Sequence, residues 1–461
     1  MPFSQGDVMK LIKTGAAALI VIAIAAACEL PKYPAGNEGT TEGLGGGSRI
    51  PALVHYDAVD LAPLSNPIPD GFMMGVDISN CYIIEEAGGV YYDHDNNPKD
   101  ILLILKENGV NWVRLRIWND HQKAYNPPAY AGDGDNDLLK TRAIAKRAKD
   151  LGFNFLLNFH YSDNWADPGR QQVPYAWRDL NREELINAVY EYTFDTLEEL
   201  AAAGAAPDMV QIGNEINPGF LNTTNGTGYA LKGWDRDYPE ALQAASRAVR
   251  QVAPDAKIVI HFADGGNSTV GNFLDYFTPR KDGTTGNLYM EVDYDVIGLS
   301  WYPYYAPHRS FDDIHANLKN FKARYQKETV VVEGAWAWRT NYDGDDMPNL
   351  FHIKEEYNTT NQMPQNNEFV YASGIRYIRG GPNNYSPYED YFPATPENQA
   401  RVLRAYLDMI VDAGGMGIFW WAGDWIAFPG LRSNWDNQTL FDLDGKALPA
   451  LRVFGIKGQG Q

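Results

Sequence analysis

The stretch VQIGNEINPG, Val210–Gly219, sets a short apolar run against a polar exit: Gly213 breaks the run, and Asn214, Glu215 and Asn217 follow it. Glu is a poor strand former, and strands ordinarily stop at turns of Gly, Pro, Asn or Asp. Taken alone, the stretch reads as a solvated turn that contains Glu. Its meaning depends on whether other apolar runs end the same way.

They do. From Phe72 onward come FMMGVDIS, NWVRLRIW, FNFLLNFHYS, DMVQIGNEI, AKIVIHFAD, YDVIGLSWYP, ETVVVEGAW and GMGIFWWAG, eight runs in all. Between them lie segments with helical spacing, among them LLKTRAIAKRAKDLG, REELINAVYEYTFDTLEELAAAG and YPEALQAASRAVRQVAP. The runs are almost continuously apolar, as strands covered on both faces are. Eight buried strands alternating with helices predict the α/β class and a (β/α)8 TIM barrel. A doubly wound open sheet is the competing arrangement, but GVDISN lacks the Gly-rich phosphate turn that would follow its first strand.

In such a barrel the chemistry sits where strands end. Here those ends carry Asp77 and Ser79; Arg114, Arg116 and Trp118; His160, Tyr161 and Asp163; Asn214 and Glu215; His261 and Asp264; Trp301, Tyr302 and Tyr304; Glu333 and Trp336; Trp420, Trp421 and Asp424. Glu215 closes the fourth strand and Glu333 the seventh, which face each other across the mouth. Two acids able to flank one bond among aromatics suggest glycoside hydrolysis. One must be held protonated for the leaving oxygen, and the other must stay ionised to attack the anomeric carbon. Retention calls for carboxyl groups about 5–5.5 Å apart.

Glu215 and Glu333 are thus the expected catalytic pair. The expected substrate-binding set is Asp77, Arg116, Trp118, His160, Trp165, Asn214, Trp301, Tyr302, Trp336 and Trp420. Each has a plainer alternative. Arg116 is either a structural ion-pair residue or the group that fixes the nucleophile's charge. His160 is a core histidine or a sugar contact. The tryptophans, Trp338 and Trp421 included, are core or flat platforms for the apolar face of a pyranose.

The blocks GVDIS, VRLRIWND, NFHYSDNWADPGRQ, VQIGNEINPG, LSWYPYY and VVVEGAWAWR closely resemble glycoside hydrolase family 53, the endo-β-1,4-galactanases, from about Gly71 to Phe454. FHYSDNWADPG is the most specific of them, whereas Asn-Glu is common to many families. The resemblance implies Glu215 as acid–base, Glu333 as nucleophile, Asn214 on the sugar 2-hydroxyl and Tyr302 orienting Glu333. It also implies β-1,4-galactan (type I arabinogalactan) as substrate, with no cofactor for catalysis. A mannanase or xylanase of the same clan is the next reading, and a non-catalytic glycan-binding lipoprotein the one after.

A long insertion, roughly Ala337 to Asn398, carries NYDGDDMPNLFH. Asp343, Asp345 and Asn349 stand at alternate positions and are expected to offer oxygens to a structural Ca2+. Some bacterial members of the family have such a site with a similar Asp-Gly-Asp start, although Met347 stands where that motif has His. DGDND, Asp133–Asp137, is a rival site, and both also read as solvated turns.

The chain has 461 residues, 44% hydrophobic, with 12 Trp, 28 Tyr and a net charge of −20. That charge weighs against nucleic acid and against polyuronates, and favours a neutral polysaccharide. Lys10 and Lys13 precede AAALIVIAIAAA, a run too short to span a membrane, and Cys28 follows directly. This resembles a bacterial lipoprotein signal. The expected layout is a signal over residues 1–27, a flexible tether over 28–65 and the barrel over 66–461. The expected product is a monomer held at the cell surface or outer membrane by lipid on Cys28. Cys81, the second of two cysteines, then has no disulfide partner.

Overall fold

Each apolar run becomes a strand: β1 Met73–Asp77, β2 Trp112–Ile117, β3 Asn154–Phe159, β4 Met209–Ile212, β5 Lys257–Phe262, β6 Val296–Ser300, β7 Glu328–Gly334 and β8 Gly417–Trp420. They pair in parallel and in chain order, and β8 returns to β1 to close a barrel. This is the (β/α)8 TIM barrel, and the open doubly wound sheet is excluded. The computed structural model describes residues 55–121, 136–276, 291–303, 310–339, 394–426, 433 and 435–460. Asp343, Asp345 and Asn349 lie outside them, as does Tyr304.

Helices cross back between strands: α1 Cys81–Glu86 and α2 Ile101–Glu107 after β1, α3 Leu138–Asp150 after β2, α4 Arg182–Ala202 after β3 and α5 Tyr238–Val252 after β4. They continue with α6 Val270–Leu274, α7 Phe311–Tyr325 and α8 Pro396–Ala413 after β5, β6 and β7. Local chemistry fixes their starts. Asn181 and Glu184 form a reciprocal capping box at α4, and Ser310 and Asp313 form one at α7. Asp137, the last residue of DGDND, caps α3 by accepting from the Lys140 N–H.

Side chains alternate in and out along each strand. Met73, Trp112, Leu156, Met209, Val259, Val296, Val330, Val332 and Phe419 form one closed apolar cluster. Space there is tight: a Cβ on Gly298 would lie 2.8 Å from Val259 Cγ1. Two residues further along four of these strands the same inward positions carry Arg114, Asn158, Gln211 and His261, all fully buried. The interior therefore changes from apolar to polar toward the strand C-termini. That gradient explains why an acid ends β4.

Chain ahead of β1 is strapped down the outside of α8. Tyr56 donates to Asp442 at 3.0 Å, and Arg404 donates to the carbonyls of Ala62 and Pro63. Ser65 donates its N–H and hydroxyl to Asp408 at 2.6 and 2.8 Å, and Asn66 donates to Asp412. Contacts with the barrel thus begin ahead of the expected boundary at residue 66. A chain beginning at residue 67 should be less stable than one beginning at 55, by about 2 kcal/mol or more for the lost charge-assisted hydrogen bonds. Thermal unfolding checks this, and equal midpoints would contradict it.

Candidate active site

Glu215 leaves β4 through Gly213 (φ 92°) and itself sits at φ 47°. That left-handed geometry is uncommon for a residue with a side chain and is held only where surroundings enforce it. Tyr161, Asp264 and Ala422, just past β3, β5 and β8, share it with φ of 52°, 54° and 51°. The Ile216 N–H donates to the His261 carbonyl at 3.1 Å, which pins the turn to β5. Glu215 is half-buried, reaching the cleft, whereas Glu333 near the end of β7 is 4% exposed. A register irregularity sets Ser300 of β6 opposite Glu333, a device common beside active sites.

One carboxylate oxygen each from Glu215 and Glu333 and one ring nitrogen of His261 lie within 4.8 Å of one another. The two acids differ in surroundings. Arg114 donates to Glu333 Oε1 at 2.8 Å, and the Tyr302 hydroxyl donates to Oε2 at 3.0 Å. Burial pushes Glu333 up, and Arg114 and the Tyr302 hydroxyl oppose it, while Asp77 adds to the rise. Burial and the neighbouring Glu333 charge push Glu215 well above the usual carboxyl range, with Ser300 opposing. Two carboxylates this close do not both ionise. Of the two, Glu215 is pushed harder toward the protonated form, because Glu333 alone accepts from a guanidinium and a phenol.

Two carboxylates and an imidazole also make a donor set for a divalent ion. Both nitrogens of His261 are engaged by protein groups: Nδ1 with Gln211 Nε2 at 3.0 Å and the Glu215 N–H at 3.3 Å, and Nε2 with Ser300 Oγ at 2.7 Å. The cluster is a hydrogen-bonded one.

Comparison with known proteins bears on this arrangement. The family model described as Glycosyl hydrolase family 53 matches residues 73–373 and 379–454. The chain belongs to glycosyl hydrolase family 53. It is 31% identical to an arabinogalactan endo-β-1,4-galactanase from Humicola insolens over 384 residues, covering 82% of this chain and 98% of that one. It is 29% identical to an endo-β-1,4-galactanase from Bacillus subtilis, covering 84% and 86%. Among solved structures, the family 53 catalytic domain from Ignisphaera aggregans is 36% identical with a TM-score of 0.69, covering 87% of this chain and all of that one.

The family 53 chain is a glycoside hydrolase, and its barrel sorts the expected site residues into two groups. Tyr302 touches the acid pair directly, Asn214 precedes Glu215 and shares Arg114 with Glu333, and His160 and Trp165 pack beside them around Ala166 and Arg116. Asn214 Oδ1 accepts from Arg114, Asn158 and Gln211 at 3.0–3.1 Å, and its Nδ2 donates to the Ala166 carbonyl. His160 accepts the Ala166 N–H on Nδ1, and burial with Arg116 and Arg114 holds its ring neutral. Trp165 is partly exposed and lies under the Arg116 guanidinium at 4.3 Å.

Others are placed differently from expectation. Arg116 does not meet Glu333: it bonds Asn80 and is surrounded by Trp118, Trp165 and Trp421, and Arg114, two residues nearer the barrel core, makes the contact. Asp77 is fully buried among Arg114, Arg116 and Ser79, which hold it back from the cleft. Trp118, Trp301, Trp336 and Trp420 are 1% exposed or less. Trp301 packs edge-on against Phe311 and Tyr406, and Trp420 donates to the Gln438 carbonyl. Their burial makes them core rather than platforms, and for Trp420 the cause is alternation past Phe419, which turns Trp421 inward and Trp420 outward. Trp421 and the partly exposed Trp435, which also packs on Tyr302, line the cleft instead. Sequence reasoning placed Arg114 and His261 at strand ends without giving them a role, and passed over Gln211, Asn158, Ser300 and Trp435. Polar residues at inward strand positions were the available signal for the first four.

Proposed function

We propose that this family 53 enzyme is a retaining endo-hydrolase of β-1,4-galactan, with Glu215 as acid–base and Glu333 as nucleophile. One observation carries the reading: Glu215 and Glu333 present oxygens within 4.8 Å, and only Glu333 is held by a guanidinium. An inverting enzyme needs about 6.5–9.5 Å to seat a water between its acids. Glu333, kept charged by Arg114 and aimed by Tyr302, attacks the anomeric carbon while Glu215 gives its proton to the leaving oxygen. Glu215, now ionised, takes a proton from the water that cleaves the resulting ester. Asn214 retains one amide proton for the sugar 2-hydroxyl.

The substrate follows from relatives named as β-1,4-galactanases and from the lack of any clustered basic run in a chain of charge −20. Unbranched galactan should be cut internally, so viscosity falls before small sugars accumulate, and polygalacturonate should be left intact. Galactose released alone at unchanged viscosity would mean exo action, and faster cleavage of mannan or xylan would overturn the substrate.

Location rests on the N-terminal sequence. The Lys-led apolar run ending at Cys28 supports a signal that is removed and a lipid on that cysteine, and among the described residues no helix is long and apolar enough to cross a membrane. Cys28→Ser should release the protein from the membrane fraction or leave it unprocessed. Membrane partitioning equal to that of the parent would place the anchor elsewhere. Calcium at Asp343, Asp345 and Asn349 is supported by the alternating oxygen donors of the sequence alone.

A further inference from the structure

Ser300 has no task in the reaction as described, yet it adjoins both acids. Register sets it opposite Glu333, and its hydroxyl lies 2.7 Å from His261 Nε2 and against the Glu215 carboxyl. Ser300 is 1% exposed and His261 fully buried, so solvent does not substitute for either partner.

The direction of the hydrogen bonds can be assigned. Burial and Arg114 hold the His261 ring neutral, so it carries one proton. Gln211 is oriented by Arg114, whose Nε and terminal nitrogen donate to Gln211 Oε1 at 3.4 and 3.2 Å. The Glu215 N–H points a donor at His261 Nδ1, and Gln211 Nε2 lies 3.0 Å from the same nitrogen while its two protons also face Asn158, Gly213 and Asn214. Asn214 Oδ1 lies 3.1 Å from the same nitrogen but already accepts from three donors. With the Glu215 N–H donating to Nδ1, the ring proton is on Nε2. Nε2–H donates to Ser300 Oγ, and the serine proton is left with the Glu215 carboxyl as its acceptor.

We propose that His261 and Ser300 form a fixed hydroxyl relay that sets the protonation balance of Glu215, acting as positioning residues that do not touch the sugar. The inference rests on Glu215 being the acid–base. That residue must lose its proton in one half-reaction and remain ionised until water is activated in the next. Burial and Glu333 both favour the protonated form, so a donor that bonds the ionised form is needed to bring the acid into a working range. The parts come from three strand ends: Gln211 and the Glu215 N–H from β4, His261 from β5 and Ser300 from β6. A neutral imidazole orients the hydroxyl without adding a charge that would compete with Arg114 at Glu333.

The test is the pH dependence of kcat/KM on galactan for Ser300→Ala and Ser300→Thr. Loss of the hydroxyl should move the basic limb upward by roughly 1 pH unit, the scale of one hydrogen bond to a charged group. Ser300→Thr keeps the hydroxyl and should keep the parental limb. A parental limb in Ser300→Ala would overturn the relay, and so would equal shifts in both variants. Glu215→Ala assayed alongside separates the two ideas. If its loss does not depend on the leaving group, the acid–base reading itself fails. If it does, and Ser300→Ala leaves the limb in place, the relay alone fails.

Discussion

Glu333→Ala should lower galactan hydrolysis on the order of 10⁶-fold, the scale seen when a covalent nucleophile is removed, and azide should restore turnover by forming a galactosyl azide. The expectation follows from the position of the carboxylate. Both its oxygens accept hydrogen bonds, one from Arg114 and one from Tyr302, so it is fixed before substrate arrives, with a guanidinium to match its charge. Truncation opens a space the size of a small anion next to a guanidinium. Azide fits that space in size and sign. Substantial polysaccharide cleavage by the variant, measured as reducing ends, would remove Glu333 from the mechanism.

Glu215→Ala should behave in a different way. With galactan, where the leaving sugar needs a proton, the loss should be about 10²–10⁴-fold, the usual contribution of a general acid. With an activated aryl β-galactoside the leaving group departs unaided, so bond cleavage should stay close to parental and breakdown of the ester should become limiting. A burst of aryl alcohol followed by a slow steady state is the expected trace. An equal loss on both substrates would mean that Glu215 does something other than proton transfer.

The eight strands are legible in the sequence because a strand covered on both faces reads as an unbroken apolar run. The proposed catalytic pair follows from counting, since acids at the fourth and seventh strand ends face one another. The same continuity hides which face a residue occupies. Trp420 and Trp421 are adjacent and identical in type, and only the alternation seen through Phe419 shows that Trp421 enters the cleft. Arg114 and Arg116 both point inward, but a one-step difference in height decides which of them reaches Glu333. Ser300 was invisible for another reason. Serine at a strand end is unremarkable by type, and the β6–β7 irregularity that sets it opposite Glu333 has no sequence signature. Trp435 lies well beyond β8, so no strand-end rule would select it.

The central claim is a double displacement by Glu215 and Glu333 acting within 4.8 Å of each other. Proton NMR of the first products released from β-1,4-galactan, read before mutarotation, tests it most directly. The β-anomer should appear first and the α-anomer should grow in later at the rate of spontaneous mutarotation. Initial release of the α-anomer would show single displacement by water and would contradict the account.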